Sequence, residues 1–236
     1  ADVALAWQPS KILRRDRLKT VTVEADLEPG YTANQINKQL IPWLEQRSVD
    51  WPLGYSWEIG GEDEAVGKAN ASIQAKLPIA GLIIVLLLVM QFNSLRKPAI
   101  ILITIPLGII GVVIGLLVMR SYFGFMTLLG IISLAGIVIN NAIVLLDRIK
   151  IEIDENGLSP QRAVVESAQR RMRPILLTTA TTLGGLIPLY LGGGPMYEPM
   201  AVAIMFGLVF ATALTLGVVP VLYSLFFRVS YNDFRY

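Results

Sequence analysis

The chain has 236 residues, 54% of them hydrophobic and 16% charged, with a formal net charge of +2. An average soluble domain carries about a quarter charged residues, so most of this chain is not an ordinary soluble domain. The absence of cysteine and histidine excludes disulfides, thiolate metal sites and the commonest general base, and no basic tract points to nucleic acid. The apolar excess lies after Lys76, which predicts a mainly α membrane bundle behind a small α+β front segment.

Residues 1–72 form that front segment. VALAW and KIL read as a strand or two, followed by the basic cluster Arg14, Arg15, Arg17 and Lys19. Lys19–Leu27 alternates apolar and polar residues, the period of a half-buried strand. Glu28-Pro29-Gly30 is a turn, and Thr32 is placed to cap a helix running to about Arg47, with an apolar stripe of Ile36, Leu40, Trp43 and Leu44. A second strand is expected over 55–60, completing a strand–helix–strand unit with an unpaired edge. Glu62, Asp63 and Glu64 are adjacent and so diverge on any regular backbone, which makes them a solvated helix start and not a metal cluster. GEDEAVGK (61–68) fails as a phosphate loop, having five residues between its glycines and Ala69 where Ser or Thr would hold magnesium.

Residues 73–228 form the membrane part. A bilayer core needs about 20 apolar residues in a helix, and five spans meet that, at about 77–95, 98–119, 122–146, 174–194 and 201–227. A separate helix is expected over 159–173, capped by Ser159 with Pro160 in its first turn, lying along the interface before the fourth span opens at Pro174. Residues 229–236 are a tail. Ten Lys and Arg flank one side of the spans and only Arg120 the other, which puts the 147–173 connection and the carboxy terminus in the cytoplasm and the front segment outside. A chain opening on Ala1, with an outside segment and no signal peptide, leads to the expectation of a longer polypeptide whose earlier span exports it.

No ionisable residue lies inside any span, so a proton relay would need carboxylates from elsewhere. The polar groups at membrane depth are neutral. Asn140 and Asn141 sit in a run uncharged from Ser121 to Leu146, and an amide pair in hydrocarbon costs free energy unless hydrogen-bonded. Ser133, Gly136, Asn140, Val144 and Asp147 follow helical spacing along one stripe. The fourth span brings Thr178, Thr179, Thr181 and Thr182, then Gly184, Gly185 and Pro188. These stripes read either as a seam lining a relay or, more ordinarily, as interhelical glue of small and hydroxyl residues. Gly111 and Gly115 form a GxxxG spacing read as packing only.

GIVINNAIVLLDRI (136–149), QRRMRPILLTTATTLGGLIPL (169–189) and AVAIMFGLVFATALTLGVVPVLYSL (201–225) together resemble the carboxy-terminal part of a resistance-nodulation-division efflux permease, over nearly the whole chain. The resemblance implies a homotrimer in the bacterial inner membrane that expels drugs, amphiphiles or metal ions by proton exchange, without cofactor or resident metal. A periplasmic adaptor and an outer-membrane channel are the implied partners, with the bilayer around it. By position, Thr178 matches the family's relay threonine, Arg171 an arginine near the cytoplasmic mouth of the relay, and Asn141 the asparagine after the relay lysine. Asn140 occupies the lysine position itself. The other readings are an export subunit for protein or lipid from the wider superfamily, and a non-transporting membrane-anchored assembly or sensor module. An enzyme is disfavoured, since no nucleophile turn accompanies the missing His and Cys.

Overall fold

The computed structural model describes residues 11–25 and 33–229. The elements are strands β1 (Leu13–Arg15) and β2 (Leu18–Thr20), then helices α1 (Ala33–Ser48), α2 (Glu62–Phe92), α3 (Arg96–Met119), α4 (Phe125–Asp154), α5 (Pro160–Gly192) and α6 (Gly194–Phe226). They fall into two compact units, Ala1–Ala69 and Asn70–Tyr236.

In the first unit β1 and β2 form an antiparallel hairpin with Arg14 opposite Lys19. Its turn, Asp16-Arg17, has φ of 49° and 68°, the positive pair that a two-residue hairpin loop requires. Arg15 leaves the hairpin to pair with Glu58 at 2.9 Å and Glu64 at 2.8 Å, and Lys68 pairs with Glu64 one turn on. Arg15, Glu58 and Lys68 are solvent-exposed and Glu64 only half-buried, so these pairs orient this unit more than they stabilise it. The strand–helix–strand expectation is corrected here. Strand structure over 19–25 stops at Thr20, and residues 55–60 form no ladder. Alternation marks a segment that could pair, but a strand exists only where another backbone accepts its hydrogen bonds, and among the described residues neither segment meets one. VALAW, the 28–30 turn and Thr32 lie outside the described residues.

In the second unit α2 to α6 are each long and apolar enough to cross a membrane. The protein is a multi-pass membrane protein. The centre is α6, which packs against α3, α4 and α5. One apolar cluster joins Ile100, Ile101, Leu145, Leu146, Ile149, Val219 and Tyr223, and a second joins Val112, Leu134, Val138, Val202 and Leu208. In contrast α2 leaves most of its apolar surface uncovered by the other helices and contributes only Leu88 and Phe92 to the core.

The closest approach is glycine-mediated. A Cβ at Gly111 would stand 2.5 Å from Phe210 Cβ and 2.8 Å from the Phe206 carbonyl, and one at Gly115 would collide with the Phe206 side chain. From the opposite wall, a Cβ at Gly207 would collide with Leu134 and come within 2.8 Å of Val112 Cγ2. Gly207 therefore lets α6 seat against α3 and α4 at once. Gly136, Gly184 and Gly185, expected to pack as well, have nothing within 4 Å of the point where a Cβ would stand, so within this chain they face open space.

The expected interfacial helix over 159–173 is also corrected: α5 runs unbroken from Pro160 through Pro174 to Gly192. Pro174 removes the donor for the Arg170 carbonyl, yet membrane helices tolerate interior proline where other groups take up the freed backbone. The Ser159 hydroxyl does not cap this helix; its carbonyl instead accepts the Ala163 N–H at 2.9 Å. At the far end Gly194, at φ +69°, turns the chain from α5 into α6, and the Tyr122 hydroxyl donates to the Pro195 carbonyl at 2.9 Å, tying together the two links at that end.

Substituting Gly207→Leu or Gly111→Leu should lower the unfolding free energy in detergent by about 1–3 kcal/mol or more, whereas Gly185→Ala should leave it unchanged. Circular dichroism during denaturant titration measures both, and equal shifts at Gly207 and Gly185 would contradict the packing described.

Candidate functional site

The polar groups at membrane depth divide into a satisfied inner set and an uncovered outer set. On α4, Ser133, Gly136 and Asn140 lie on one exposed stripe, while Leu134, Val138, Ala142 and Leu145 on the opposite side are buried. Three- and four-residue spacing produces both faces from one helix. Asn140 is exposed and Asn141 half-buried. Among the described residues neither amide forms a hydrogen bond, and nothing links either to Thr178.

Thr178 also faces outward on α5. Its hydroxyl donates to the Ile175 carbonyl at 2.9 Å, and its own carbonyl accepts from Thr181 and Thr182 at 2.9 and 2.8 Å. Hydroxyls bonded back to the preceding turn are sheltered from lipid but free to rotate toward a partner. Gly184, Gly185 and Pro188 continue the same uncovered face. Arg171 is half-buried near the start of α5 and forms no ion pair among the described residues.

Of the inner set, Thr104, Thr127 and Thr179 are legible in the sequence as neutral polar groups at membrane depth, but the partner of Thr179 is not. Thr179, not Thr178, joins two helices: its Oγ1 lies 2.9 Å from Thr212 Oγ1 of α6, and both are buried. Thr215 donates to the Thr212 carbonyl at 3.2 Å and buried Thr104 to the Ile101 carbonyl at 2.6 Å. Thr127 closes the start of α4, accepting from the Gly124 N–H and donating to the Tyr122 carbonyl. The available signal was Thr212 and Thr215, a three-residue pair inside an otherwise apolar run.

A charged cluster closes the other end. Glu152 lies past Leu146, where the uncharged run ends, and its side chain is fully buried. Arg148 reaches its Oε1 at 2.5 Å, Arg170 reaches the same oxygen at 2.9 Å, and Asn156 Nδ2 donates to Oε2 at 2.6 Å. The hydrogen bond from Asn156, joined by those of the two guanidiniums, holds the carboxyl below the usual carboxylate range against the burial that would raise it. Arg170 also pairs with Glu166 at 2.6 Å. One buried anion thus fastens the last turn of α4, the connection after it and the first third of α5. Arg148 Nε and Ser167 Oγ are buried without a hydrogen-bond partner. The sequence shows these residues only as charge balance, although Arg148–Glu152 and Glu166–Arg170 are both four apart.

Two measurements test this division. A double-mutant cycle of Thr179→Val and Thr212→Val should return a coupling of about 0.6 kcal/mol, up to ~1.7, with Thr178→Val uncoupled from Thr212. Glu152→Gln should lower the thermal unfolding midpoint clearly more than Glu166→Gln, because it leaves two arginines facing a neutral amide in a buried position.

The family model for the AcrB/AcrD/AcrF family matches residues 1–227. An "Uncharacterized transporter" of Haemophilus influenzae is 31% identical over 230 residues, covering 93% of this chain and 22% of that protein. The swarming motility protein SwrC of Bacillus subtilis is 36% identical over 180 residues, covering 75% of this chain and 17% of that protein. Two crystal forms of a heavy metal efflux pump superpose with TM-scores of 0.66 and 0.60 at 29% identity, covering 84% and 81% of this chain and 20% and 19% of theirs. The chain therefore spans about a fifth of the length of the relatives it matches. With its family match running nearly end to end, the chain belongs to the AcrB/AcrD/AcrF family of transporters.

Proposed function

We propose that this chain is the carboxy-terminal part of a proton-driven efflux transporter of the resistance-nodulation-division type, a secondary active carrier and not an enzyme, that exports drugs, amphiphiles or other toxic solutes, metal ions among them. The observation that carries the reading is the unpartnered amide pair Asn140–Asn141, of which Asn140 lies on the uncovered face of α4. An amide at membrane depth needs a partner, and this chain supplies none among its described residues. The partner proposed is a carboxyl on a transmembrane helix outside this chain, lying along the seam of Ser133, Gly136 and Asn140.

An asparagine changes how such a relay works. A lysine responds to protonation of a carboxylate by moving its charge to another partner. Asn140 cannot titrate, but it offers both N–H donors and a carbonyl acceptor. Its N–H can donate to the ionised carboxylate, and its carbonyl can accept from the protonated acid. The contact then reverses its sense with little displacement. Thr178 is placed in the proposal as a second neutral hydroxyl on the seam, and Arg171 as the positive group near its cytoplasmic mouth.

The assembly proposed is a homotrimer in the bacterial inner membrane, with the front segment periplasmic and the carboxy terminus cytoplasmic, working with a periplasmic adaptor and an outer-membrane channel. The orientation is supported by the ten-to-one bias of basic residues. In the full-length transporter, Asn140→Leu should abolish gradient-driven efflux and Asn140→Ala should reduce it at least several-fold while surface expression is kept. Proton-coupled transport in proteoliposomes measures this, and full activity in both variants would refute the role given to Asn140.

A further inference from the structure

At the basic end of the bundle, α4, α5 and α6 border an open cavity of about 300 Å³. That is the low end of the range for small-molecule sites. Its walls are Ile153 from the last turn of α4, Pro160 and Gln161 from the first turn of α5, Tyr223 and Phe227 from the end of α6, and Arg228 and Val229 beyond it. The Tyr223 and Phe227 rings are stacked, with centroids 4.5 Å apart. Exposed Arg228 follows at φ +51°, a left-handed backbone conformation. On the α3 side the Arg96 guanidinium lies 5.8 Å from the centre of the Phe227 ring, and Lys97 lies 5.5 Å from that of Phe92. Asp147 and Asp154 are opposing charges beside Lys97, outnumbered by Arg96, Lys97, Lys150 and Arg228.

We propose that this cavity binds the headgroup and glycerol region of an anionic phospholipid, with its phosphate at Arg228 and Arg96 and its apolar part against Tyr223 and Phe227. The inference rests on the membrane-spanning reading of α4 to α6 and not on the proton relay. Three features select this ligand. Its α6 wall sits where that helix's apolar run gives way to Arg228, which is where headgroups lie. Apart from Gln161 and Arg228 its wall is aromatic and aliphatic, a surface from which a free inorganic anion would gain nothing. Its rim carries Arg228, with Arg96 beyond it over the Phe227 ring, and from these charges a neutral amphiphile would gain nothing. Basic pockets between transmembrane helices on the cytoplasmic side are the recurrent setting for acidic headgroups. A lipid seated here would touch the ends of all three helices that Glu152 and α6 hold together.

The test is native mass spectrometry of the purified protein in detergent, titrated with phosphatidylglycerol or phosphatidylcholine. One phosphatidylglycerol should be retained more tightly than phosphatidylcholine, and Arg228→Gln should weaken it about five-fold. Ile153→Phe fills the cavity without changing charge and should weaken it as well; should that variant fail to fold, Val229→Phe fills the same space. Inorganic phosphate should not displace the lipid. The proposal is overturned if the cavity-filling variant holds phosphatidylglycerol like the wild type or if inorganic phosphate displaces it. It is also overturned if Arg120→Gln, at the opposite end of the bundle, weakens binding as much as Arg228→Gln.

Discussion

The bundle depends on how closely α3 and α4 approach α6. Lipid tails are as apolar as leucine side chains, so burying apolar surface supplies little drive for helices to associate in a membrane, and close packing must supply it instead. Gly111 and Gly115 on α3 admit Phe206 and Phe210 of α6, and Gly207 on α6 admits Leu134 of α4 and Val112 of α3. Each glycine is the empty half of a contact whose other half is a large side chain. A Cβ at any of them would force the axes apart and open the cluster around Val112, Leu134 and Leu208. With α6 fixed in this way, the faces that α4 and α5 turn inward are decided, and so are those they turn outward.

That choice of faces sorts the polar side chains. Those turned inward find partners: Thr179 meets Thr212, Thr104 bonds to the Ile101 carbonyl, and Thr127 closes the start of its helix. Of those turned outward, Thr178 bonds only within its own helix, and Asn140 meets no partner among the described residues. A hydrophobic environment penalises an unmet amide far more than an unmet methyl group, so the uncovered stripe is the least self-sufficient part of the molecule. The ordinary role of interhelical glue and the role of an open seam, both suggested by the residue types, are carried by different residues on the same helices.

At the basic end, stability is electrostatic. Glu152 is buried, and both its oxygens accept hydrogen bonds from Arg148, Arg170 and Asn156. A carboxylate removed from water without such partners would be strongly unfavourable, and with them it becomes a point that three segments share. The same end carries the aromatic cavity beside Arg228, so a change in how α4 leaves the bundle would alter the cavity walls at Ile153 and Pro160 together.

The five spans, the mainly helical class and the absence of ionisable groups at membrane depth were all legible in the residues, because each depends on local composition: a helix crosses a bilayer if about 20 consecutive residues tolerate it. The GxxxG spacing at Gly111 and Gly115 was equally plain, since it lies on one face of one helix. Partner choice was not legible. Nothing local distinguishes Thr179, which meets α6, from Thr178, which does not, since a one-residue step rotates a side chain by about 100° and only the neighbour's position gives that rotation a meaning. The same holds for Gly136, Gly184 and Gly185, whose small size permits packing that no helix in this chain takes up, and for residues 55–60, whose pattern permits a strand that finds no ladder. Pro174 looked like a helix boundary because proline breaks a local hydrogen bond, yet the helix continues. The sequence by itself determined which segments enter the membrane, through transfer free energies that add along the chain. Tertiary structure alone decided which face of each helix is covered, because that depends on contacts between residues far apart in the chain.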